Sequence, residues 1–368
     1  MNYFFAIFGG IISITVLFLV IYTILLIVNA SYSKKDAIFR DRPATDDSFS
    51  QFDAHKLCIS RKSVRRYTQK DIEPHTLDKI KAYISDETKM TGPFGSRIRV
   101  VLVSTDEAPG GKLSTRGKIK GAKYYLVGFE KPETRLIDFG YTFERLVLFC
   151  TQLGISTCWI GGTFNRSEFE SVCELQEGEK IYIVCPIGYC DESEPKSKGN
   201  ATEPDPNSHR PLYNIAFKGL YQKLRYSDQV IKENSKSDKI GNGISNQESI
   251  GQLSLLNALE AVQWSPSAVN CQPWRLFILE NATNPNKHII HFFVKKFGAF
   301  YPLNDCGIAM SNFTYVYGDK KGIFEIRKEQ EIIQKQNMKD FQMKDDGLFP
   351  VLNEADEGLT YAATWVEL

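Results

Sequence analysis

Three short segments carry residue types that could bind a charged, planar ligand. The first, residues 61–67, reads Arg-Lys-Ser-Val-Arg-Arg-Tyr, so four cations and a serine fall within seven residues. Arginine makes paired, charge-assisted hydrogen bonds, and together with a hydroxyl group it suits a phosphate. Most runs of charge are instead solvated surface. Taken alone, this segment favours the solvated surface.

The other two segments are rich in glycine or in short polar side chains. Residues 154–162 end in Trp159-Ile160-Gly161-Gly162, where paired glycines let the backbone approach a flat ligand closely. Residues 265–275 read Ser-Pro-Ser-Ala-Val-Asn-Cys-Gln-Pro-Trp-Arg, a loop of a kind that often holds ligands. Each also has an ordinary explanation, a tight turn under a tryptophan and a Ser/Asn/Pro turn respectively.

Predicted helices and strands must position these segments. In the first half, apolar periodicity predicts helices over 52–60, 71–84 and 141–153, the last ended by Gly154, and strands over 97–103, 123–128 and 181–187. In the second half it predicts helices over 253–263 and 306–318 and strands over 275–279 and 288–294. The second half therefore restarts a pattern like that of the first, which suggests a duplication.

Composition excludes several classes of protein. The chain has 368 residues, of which 42% are hydrophobic, and this excludes intrinsic disorder. Its 45 basic and 44 acidic side chains argue against a general nucleic-acid binder. The eight cysteines are scattered and indicate free or buried thiols. Neither the Cys185/Cys190 pair nor the His288/His291 pair has convincing metal-ligand spacing, so we predict no metal site.

The N-terminal 33 residues contain no charged side chain, and residues 4–28 are almost wholly apolar. A helix of this length crosses a hydrocarbon core of about 30 Å. The run is long and has no basic start, which favours a permanent anchor over a cleaved signal peptide. Basic residues follow it, so the positive-inside rule predicts a single-pass membrane protein with its body in the cytoplasm. The residues concerned are Lys34, Lys35, Arg40 and Arg42.

The chain thus divides into five predicted parts. Residues 1–33 are the transmembrane anchor and 34–51 a polar tether. Residues 52–226 form the first half of the body, 227–252 a polar linker, and 253–368 the second half. Residues 320–368 carry no motif that assigns them.

The three segments together resemble the FMN-dependent nitroreductase family, over most of residues 52–313. That family's fold is α+β, and its single-domain members are intertwined homodimers with FMN at the interface. One subunit supplies an Arg-x-Ser-x-Arg/Lys motif and a Gly-Gly pair. The other supplies a Pro-Ser-x-x-Asn-x-Gln-Pro-Trp loop.

This chain distributes those motifs unequally between its halves. The first half has Arg61, Ser63, Arg65 and the glycine pair, but its counterpart of the Pro-Ser loop is the degenerate Thr91–Gly95. The second half has the complete loop and no Arg-x-Ser-x-Arg before it. The resemblance therefore implies an internal pseudo-dimer of two α/β halves with one intact FMN site. The chain resembles a subfamily in which one chain mimics the usual dimer, and this resemblance implies that the protein is a monomer.

The resemblance also implies a role for each site residue. Arg61, Ser63 and Arg210 would hold the phosphate, and Arg65 would face the N1/O2 edge of the flavin, with Lys118 a second candidate there. Gly161 and Gly162 would direct backbone N–H groups toward N5 or O4. Pro266, Ser267 and Asn270 would reach the flavin from the second half.

The implied reaction is ping-pong hydride transfer from NADH or NADPH through FMN to a nitroaromatic, a quinone or a similar small acceptor. It requires no catalytic side chain, because the cofactor carries the chemistry. Three alternatives remain: a non-catalytic FMN-binding or sensor protein, a reductive dehalogenase of the iodotyrosine deiodinase type, and a scaffold that has lost flavin.

Overall fold

The computed structural model describes residues 53–191, 208–218, 222–223, 246–281, 284–295, 299–327 and 359–368. These residues belong to one compact unit, Ser50–Leu368. The predicted anchor (1–33) and tether (34–51) lie outside the described residues, as does most of the predicted linker. Within the described ranges, no helix has the length and apolar character needed to cross a membrane.

Among the described residues, the first half has four α-helices and a four-stranded sheet. The helices are α1 (Ala54–Ser60), α2 (Pro74–Ser85), α3 (Leu136–Gln152) and α4 (Arg166–Glu170). The strands are β1 (Arg99–Ser104), β2 (Tyr124–Glu130), β3 (Ser156–Thr157) and β4 (Lys180–Gly188). They lie in the order β1-β2-β4-β3, and all neighbours are antiparallel. The strands predicted over 97–103, 123–128 and 181–187 are confirmed to within two residues.

Local chemistry explains where these helices begin and end. Asp53 caps α1 by accepting the Lys56 N–H at 3.1 Å, and Pro74 occupies the first position of α2. Gly154 has a φ of 73°, so it stops the chain after α3 as predicted. The prediction of α3 was wrong at its other end. The helix begins at Leu136, five residues earlier than expected. The prediction missed this first turn because Asp138 is polar in sequence, although the structure buries it.

In the part of the chain that the structure describes, the second half has two α-helices and a six-stranded sheet. The helices are α5 (Asn246–Gln263) and α6 (Pro302–Tyr317). The strands are β5 (Ala216–Lys218), β6 (Gln222–Lys223), β7 (Trp274–Asn281), β8 (Asn284–Lys295), β9 (Gly322–Glu325) and β10 (Leu359–Glu367). Their order is β6-β5-β7-β8-β10-β9, and only the β5/β7 pair among these neighbours is parallel.

Other predicted boundaries also differ from the structure, among them the start of α6, which lies at Pro302 and not at residue 306. Helix α5 begins at Asn246, inside the predicted 227–252 linker. The prediction missed this start because the first turns of the helix are polar and carry no apolar periodicity. Strands β5 and β6 come from the segment assigned to the first half, yet β5 pairs with β7 of the second sheet. The unassigned tail supplies β9 and β10, and β10 lies between β8 and β9. Pairing partners this far apart in sequence leave no local signal.

The two halves share one order of elements. Each half has two strands, then a helix, then two strands. In the first half these are β1, β2, α3, β3 and β4, with the short α4 between the last two strands, and in the second they are β7, β8, α6, β9 and β10. The sheet orders β1-β2-β4-β3 and β7-β8-β10-β9 correspond as well, with the same antiparallel pairing. The second half is thus built on the same plan as the first.

Helices α3 and α6 cross where a glycine in each allows the backbones to meet. A Cβ atom on Gly140 would overlap the carbonyl oxygen of Asn304, and one on Gly307 would overlap the carbonyl oxygen of Ile137. Both glycines stand in an Asp-x-Gly sequence, and each meets the residue just before the other helix's aspartate, Asp138 or Asp305. The contact is therefore reciprocal, as at an interface with two-fold symmetry.

Strand β2 separates two cores in the first half. Tyr125, Val127 and Phe129 face one cluster of buried side chains. Leu126 faces the other, together with Phe139 and Phe143 of α3. Alternate residues of a strand point to opposite faces, so a run of buried residues in β2 requires cover on both sides. Helix α3 provides that cover on one side, and it packs on α6 through its other side.

Candidate functional site

A cavity of about 570 Å³ lies between the two halves. The first half contributes a basic segment and a glycine, and the second contributes a loop and the beginning of α6. Seven of the ten predicted site residues meet in its lining: Arg61, Ser63, Arg65, Gly161, Pro266, Ser267 and Asn270. The segments that carry them are up to about 200 residues apart in sequence.

The basic wall is an extended segment that follows α1. Ser63 forms a parallel bridge with Thr157, and the Val64 N–H donates to the Thr157 carbonyl oxygen at 2.9 Å. In extended backbone, residues two apart point the same way. Arg61, Ser63 and Arg65 therefore share the face toward the cavity, while Val64 between them is buried.

Arg61 is the most buried cation of this wall, with 7% of its side chain exposed. Its Nε lies 3.9 Å from Oε1 of Glu144, a fully buried carboxylate of α3. That separation is an ion pair but too long for a hydrogen bond. Within the described part of the chain, Nε and Nη1 of Arg61 have no hydrogen-bond partner. A buried guanidinium with unused N–H groups is suited to an anion.

The glycine pair lies beside β4 and against Tyr301 of the second half. The Ile160 N–H donates to the Val184 carbonyl oxygen at 2.9 Å, which fixes the segment to the sheet. A Cβ on Gly161 would come within 2.9 Å of the Tyr301 hydroxyl and 3.0 Å of its ring. Gly161 therefore lines the cavity where a larger residue would displace Tyr301.

The loop opposite the basic wall is held by its own polar groups. The Ser267 hydroxyl accepts the Gln272 N–H at 2.9 Å, and the Asn270 side chain donates to the Ser208 carbonyl oxygen at 2.7 Å. Val269, Asn270 and Gln272 all have positive φ values, of 47° to 56°. Positive φ is uncommon outside glycine, so this backbone depends on those hydrogen bonds.

Asp305 of α6 also holds this loop, through its carboxylate. Its two carboxylate oxygens accept the Ala268 N–H at 3.3 and 3.2 Å, and the Cys271 thiol lies 3.7 Å from Oδ2. In the first half, Asp138 accepts the N–H groups of Phe94 and Ser96, each at 2.9 Å. Each Asp-x-Gly aspartate thus binds the loop of its own half.

Three predicted residues are not among those that line this cavity. Lys118 is exposed and lies in a turn, where its backbone N–H donates to the Thr115 carbonyl oxygen. Gly162 follows the lining residue Gly161 but does not itself line the cavity. Arg210 has an exposed side chain, and its backbone N–H donates to the Gln272 side chain at 2.6 Å. Its neighbour His209 lines the cavity instead and lies 4.4 Å from the Trp264 ring. Spacing along a loop does not determine which residue points inward.

Several lining residues were not predicted as site residues. They are Lys62, Trp159, Ile183, Ser208, His209, Trp264, Ala268, Val269, Tyr301, Asn304, Asp305 and Ile308. For Asp305 a signal was available, since the Asp-x-Gly sequence occurs in both α3 and α6. For Tyr301 and Trp264 there was none, because an aromatic residue beside a helix is usually part of the core. The described residues include no His/Cys/Asp/Glu cluster arranged to hold a metal.

Burial raises the pKa of Asp305 to about 7, despite hydrogen bonds from Ala268, Cys271 and Asn304 that lower it. Burial likewise raises the pKa of Glu144 to about 7, against the opposing charge of Arg61. Both acids therefore bind a proton more tightly in the folded protein than in the unfolded chain. This stabilisation is fully present below about pH 4, the pKa of the unfolded chain, and is lost as the pH rises through about 7.

We accordingly expect the folded protein to lose stability between pH 5 and pH 7. Asp305 alone accounts for about 2 kcal/mol of that loss. The D305N variant keeps an acceptor for the Ala268 N–H but cannot titrate, so its stability should depend less on pH. Urea unfolding of both proteins at pH 5, 6 and 7 measures the difference. If the free energy of unfolding changed equally with pH in D305N and the wild type, Asp305 would not titrate in this range.

Comparison with known proteins identifies the fold. A family model described as "Putative TM nitroreductase" matches residues 55–316, more than two thirds of the chain. No curated protein matches the sequence.

Among solved structures, the chain is similar to a protein from Thermotoga maritima described as a putative nitroreductase. Identity is 15% over 78% of this chain and 95% of that one, with a TM-score of 0.43. It is also similar to a nitroreductase family protein from Clostridium novyi NT, 21% identical over 39% of this chain and 89% of that one, with a TM-score of 0.31. A nitroreductase from Desulfitobacterium hafniense DCB-2, solved with bound FMN, is 18% identical over 41% of this chain and 100% of that one, also with a TM-score of 0.31.

The family model covers the helix before the basic wall, both strands that flank the glycine pair, the Pro-Ser loop and nearly all of α6. It therefore includes every element that contributes to the cavity. The solved structures share only 15–21% identity with this chain, so the match to the family model is what shows the family. The chain belongs to the nitroreductase family.

Proposed function

We propose that the protein binds FMN in this cavity and reduces a small acceptor, such as a quinone or a nitroaromatic, with electrons from NADH or NADPH. The observation that carries the proposal is the meeting of two motifs from different halves. Arg61, Ser63 and Arg65 line the cavity together with the loop that contains Ser267 and Asn270. A similar nitroreductase was solved with FMN bound.

The residues present fit the chemistry of FMN. A phosphate is an anion that accepts several hydrogen bonds, and the two unused guanidinium N–H positions of Arg61 supply such donors beside the Ser63 hydroxyl. Trp159, Trp264 and Tyr301 give apolar surface for a flat ring system.

Each residue would then have a distinct task. Arg61 and Ser63 would hold the phosphate, and Arg65 would place positive charge near the ring edge that becomes anionic on reduction. When bound, FMN would accept hydride from the nicotinamide and pass it to the acceptor. The Pro266–Asn270 loop would close the cavity from the second half and keep water from the reacting ring.

We further propose that the two halves form an internal pseudo-dimer and that the protein is a monomer. The shared sheet order and the reciprocal contact of Gly140 and Gly307 support this. The cavity would then correspond to one interface site of a two-site dimer. A chain that already contains both halves has no need of a second copy to complete it.

The equivalent position on the other side of the pseudo-dimer is unlike the cavity. There the loop Thr91–Gly95 replaces the Pro-Ser loop, and Phe94 packs at 6.4 Å from the ring of Phe324. Tyr141 lies 6.0 Å from the same ring. Aromatic side chains thus pack together where the second half would need room for a ligand.

We expect about one FMN per chain in the purified full-length protein, because one of the two equivalent positions lacks the binding motifs. Flavin absorbance after denaturation, divided by protein concentration, measures this ratio. A ratio near two would show that both positions bind. No flavin, even after incubation with FMN, would overturn the proposed function.

Oxidation of NADH or NADPH in the presence of menadione or nitrofurazone tests the enzymatic part of the proposal. We expect turnover with the FMN-loaded protein and none with the flavin-free protein. Bound flavin without turnover would instead favour a non-catalytic FMN-binding or sensor protein. The comparison of NADH with NADPH identifies the electron donor.

Residues 1–33 would tether this body to a membrane, with the flavin on the cytoplasmic side. The uncharged apolar run and the four cations after it support the proposal. Sodium carbonate extraction of cell membranes should leave the full-length protein in the pellet. Release into the supernatant would argue against a membrane-spanning segment.

A further inference from the structure

Glu144 lies one layer behind the wall of the cavity, in the middle of α3. It is fully buried and is not among the lining residues. Its two closest polar partners, Arg61 and Trp159, both line the cavity. A single carboxylate therefore connects two wall residues that come from different segments of the first half.

The two contacts differ in kind. The Trp159 indole N–H donates to Oε2 of Glu144 at 3.0 Å, which is a well-formed hydrogen bond. The Arg61 Nε is 3.9 Å from Oε1, and Oε1 has no hydrogen-bond partner among the described residues. The carboxylate thus attracts the guanidinium by charge while leaving the N–H groups of Arg61 available.

Stability does not explain a glutamate at this position. A buried carboxylate with one hydrogen bond costs free energy, and well-packed apolar residues often replace buried ion pairs without loss. The corresponding position of α6, counted from the aspartate of each Asp-x-Gly sequence, is Ser311. The half without the basic wall therefore has no carboxylate there, which links Glu144 to Arg61 rather than to helix packing.

We propose that Glu144 is a positioning residue of the FMN site: its charge holds the Arg61 guanidinium against the cavity wall, and its hydrogen bond orients the Trp159 indole beside it. The inference rests on the proposed function. Without the carboxylate, the guanidinium would lose the only anion within 4 Å of it in the described structure and would no longer be held in place for a phosphate.

The test is the dissociation constant of FMN, measured by quenching of flavin fluorescence as flavin-free full-length protein is titrated with FMN at about pH 8.5. Glu144 is ionised there, because burial raises its pKa only to about 7. We expect E144Q to weaken binding by about tenfold, as loss of an outer-shell partner does at metal sites. E144D keeps the charge and should bind more tightly than E144Q. A packing role predicts the reverse order, because glutamine has the size of glutamate and aspartate does not.

A double-mutant cycle with R61A identifies the route of the effect. If Glu144 acts through Arg61, E144Q should weaken FMN binding much less in the R61A background than in the wild type. The matched control is E179Q, which removes a buried carboxylate that accepts two hydrogen bonds from Arg99, neither residue lining the cavity. We expect E179Q to lower the melting temperature and to leave FMN affinity unchanged.

Should E144Q not fold, W159F gives a second route, because it keeps an aromatic ring but removes the indole N–H that donates to Glu144. It also removes part of the ring surface in the cavity wall, so its effect is read from the comparison with the R61A background. We expect W159F to weaken FMN binding by about threefold to tenfold, and less in the R61A background. Wild-type affinity in E144Q, or in W159F if E144Q does not fold, would overturn the positioning role alone, and so would additive effects with R61A. Failure of the wild type to bind FMN would overturn the proposed function and this inference together.

Discussion

Replacing Gly140 or Gly307 with alanine is expected to destabilise the protein by about 3 kcal/mol or more. Each added methyl group would overlap a carbonyl oxygen of the opposing helix, Asn304 or Ile137. Backbone atoms cannot rotate away as the end of a side chain can. The helices would therefore have to separate, and the packing between the two halves would open with them.

Helix propensity predicts the opposite sign. In an exposed helix, alanine is more favourable than glycine by about 1 kcal/mol. Urea unfolding of G140A and G307A, compared with the wild type, distinguishes the two effects. G162A is the matched control, because its nearest neighbour lies 3.9 Å from the added Cβ atom and nothing needs to move. Stability equal to the wild type in G140A and G307A would contradict the close crossing of α3 and α6.

Replacing Arg61 with alanine is expected to weaken FMN binding by about 100-fold, which corresponds to about 2.7 kcal/mol. Arg61 is the most buried cation of the basic wall, and two of its guanidinium nitrogens have no hydrogen-bond partner within the described residues. Hydrogen bonds between ionised groups are the strongest in a buried site. Fluorescence quenching of FMN measures the change.

Lys118 provides the control for Arg61, since the sequence predicted a role for both. Lys118 is exposed and is not among the lining residues, so K118A should bind FMN within about twofold of the wild type. A large loss in K118A would show that the turn at Thr115 folds over the cavity when FMN binds. Unchanged affinity in R61A would remove Arg61 from the phosphate site.

The elements that position the site were largely predictable. Strands β1, β2 and β4 and helix α2 follow from apolar periodicity, because burial of one face imposes a spacing that the sequence must carry. The Pro-Ser loop was predictable for another reason, since proline, serine and asparagine specify turns locally. The beginning of α3 was missed because buried Asp138 resembles a surface residue when only its neighbours in sequence are considered.

The residues opposite the basic wall were less predictable. Tyr301 and Trp264 line the cavity, yet nothing in their neighbourhoods distinguishes them from core aromatics. Arg210 and His209 are adjacent, and the structure places the histidine, not the arginine, in the cavity wall. The hydrogen bonds of a loop's backbone decide which of its side chains points inward. Here the Arg210 backbone N–H donates to the Gln272 side chain.

The sequence by itself determined which segments have residue types suited to a charged, planar ligand and that these segments divide between two halves. Those properties are local, since a motif consists of neighbours and a helix or strand repeats every few residues. Only the tertiary structure decided how the halves meet. Gly140 and Gly307 allow α3 and α6 to cross closely, and Arg61 and Ser267, from the two halves that meet there, line the same cavity. Contacts between residues about 200 positions apart depend on backbone shape and packing, which no short stretch of sequence specifies.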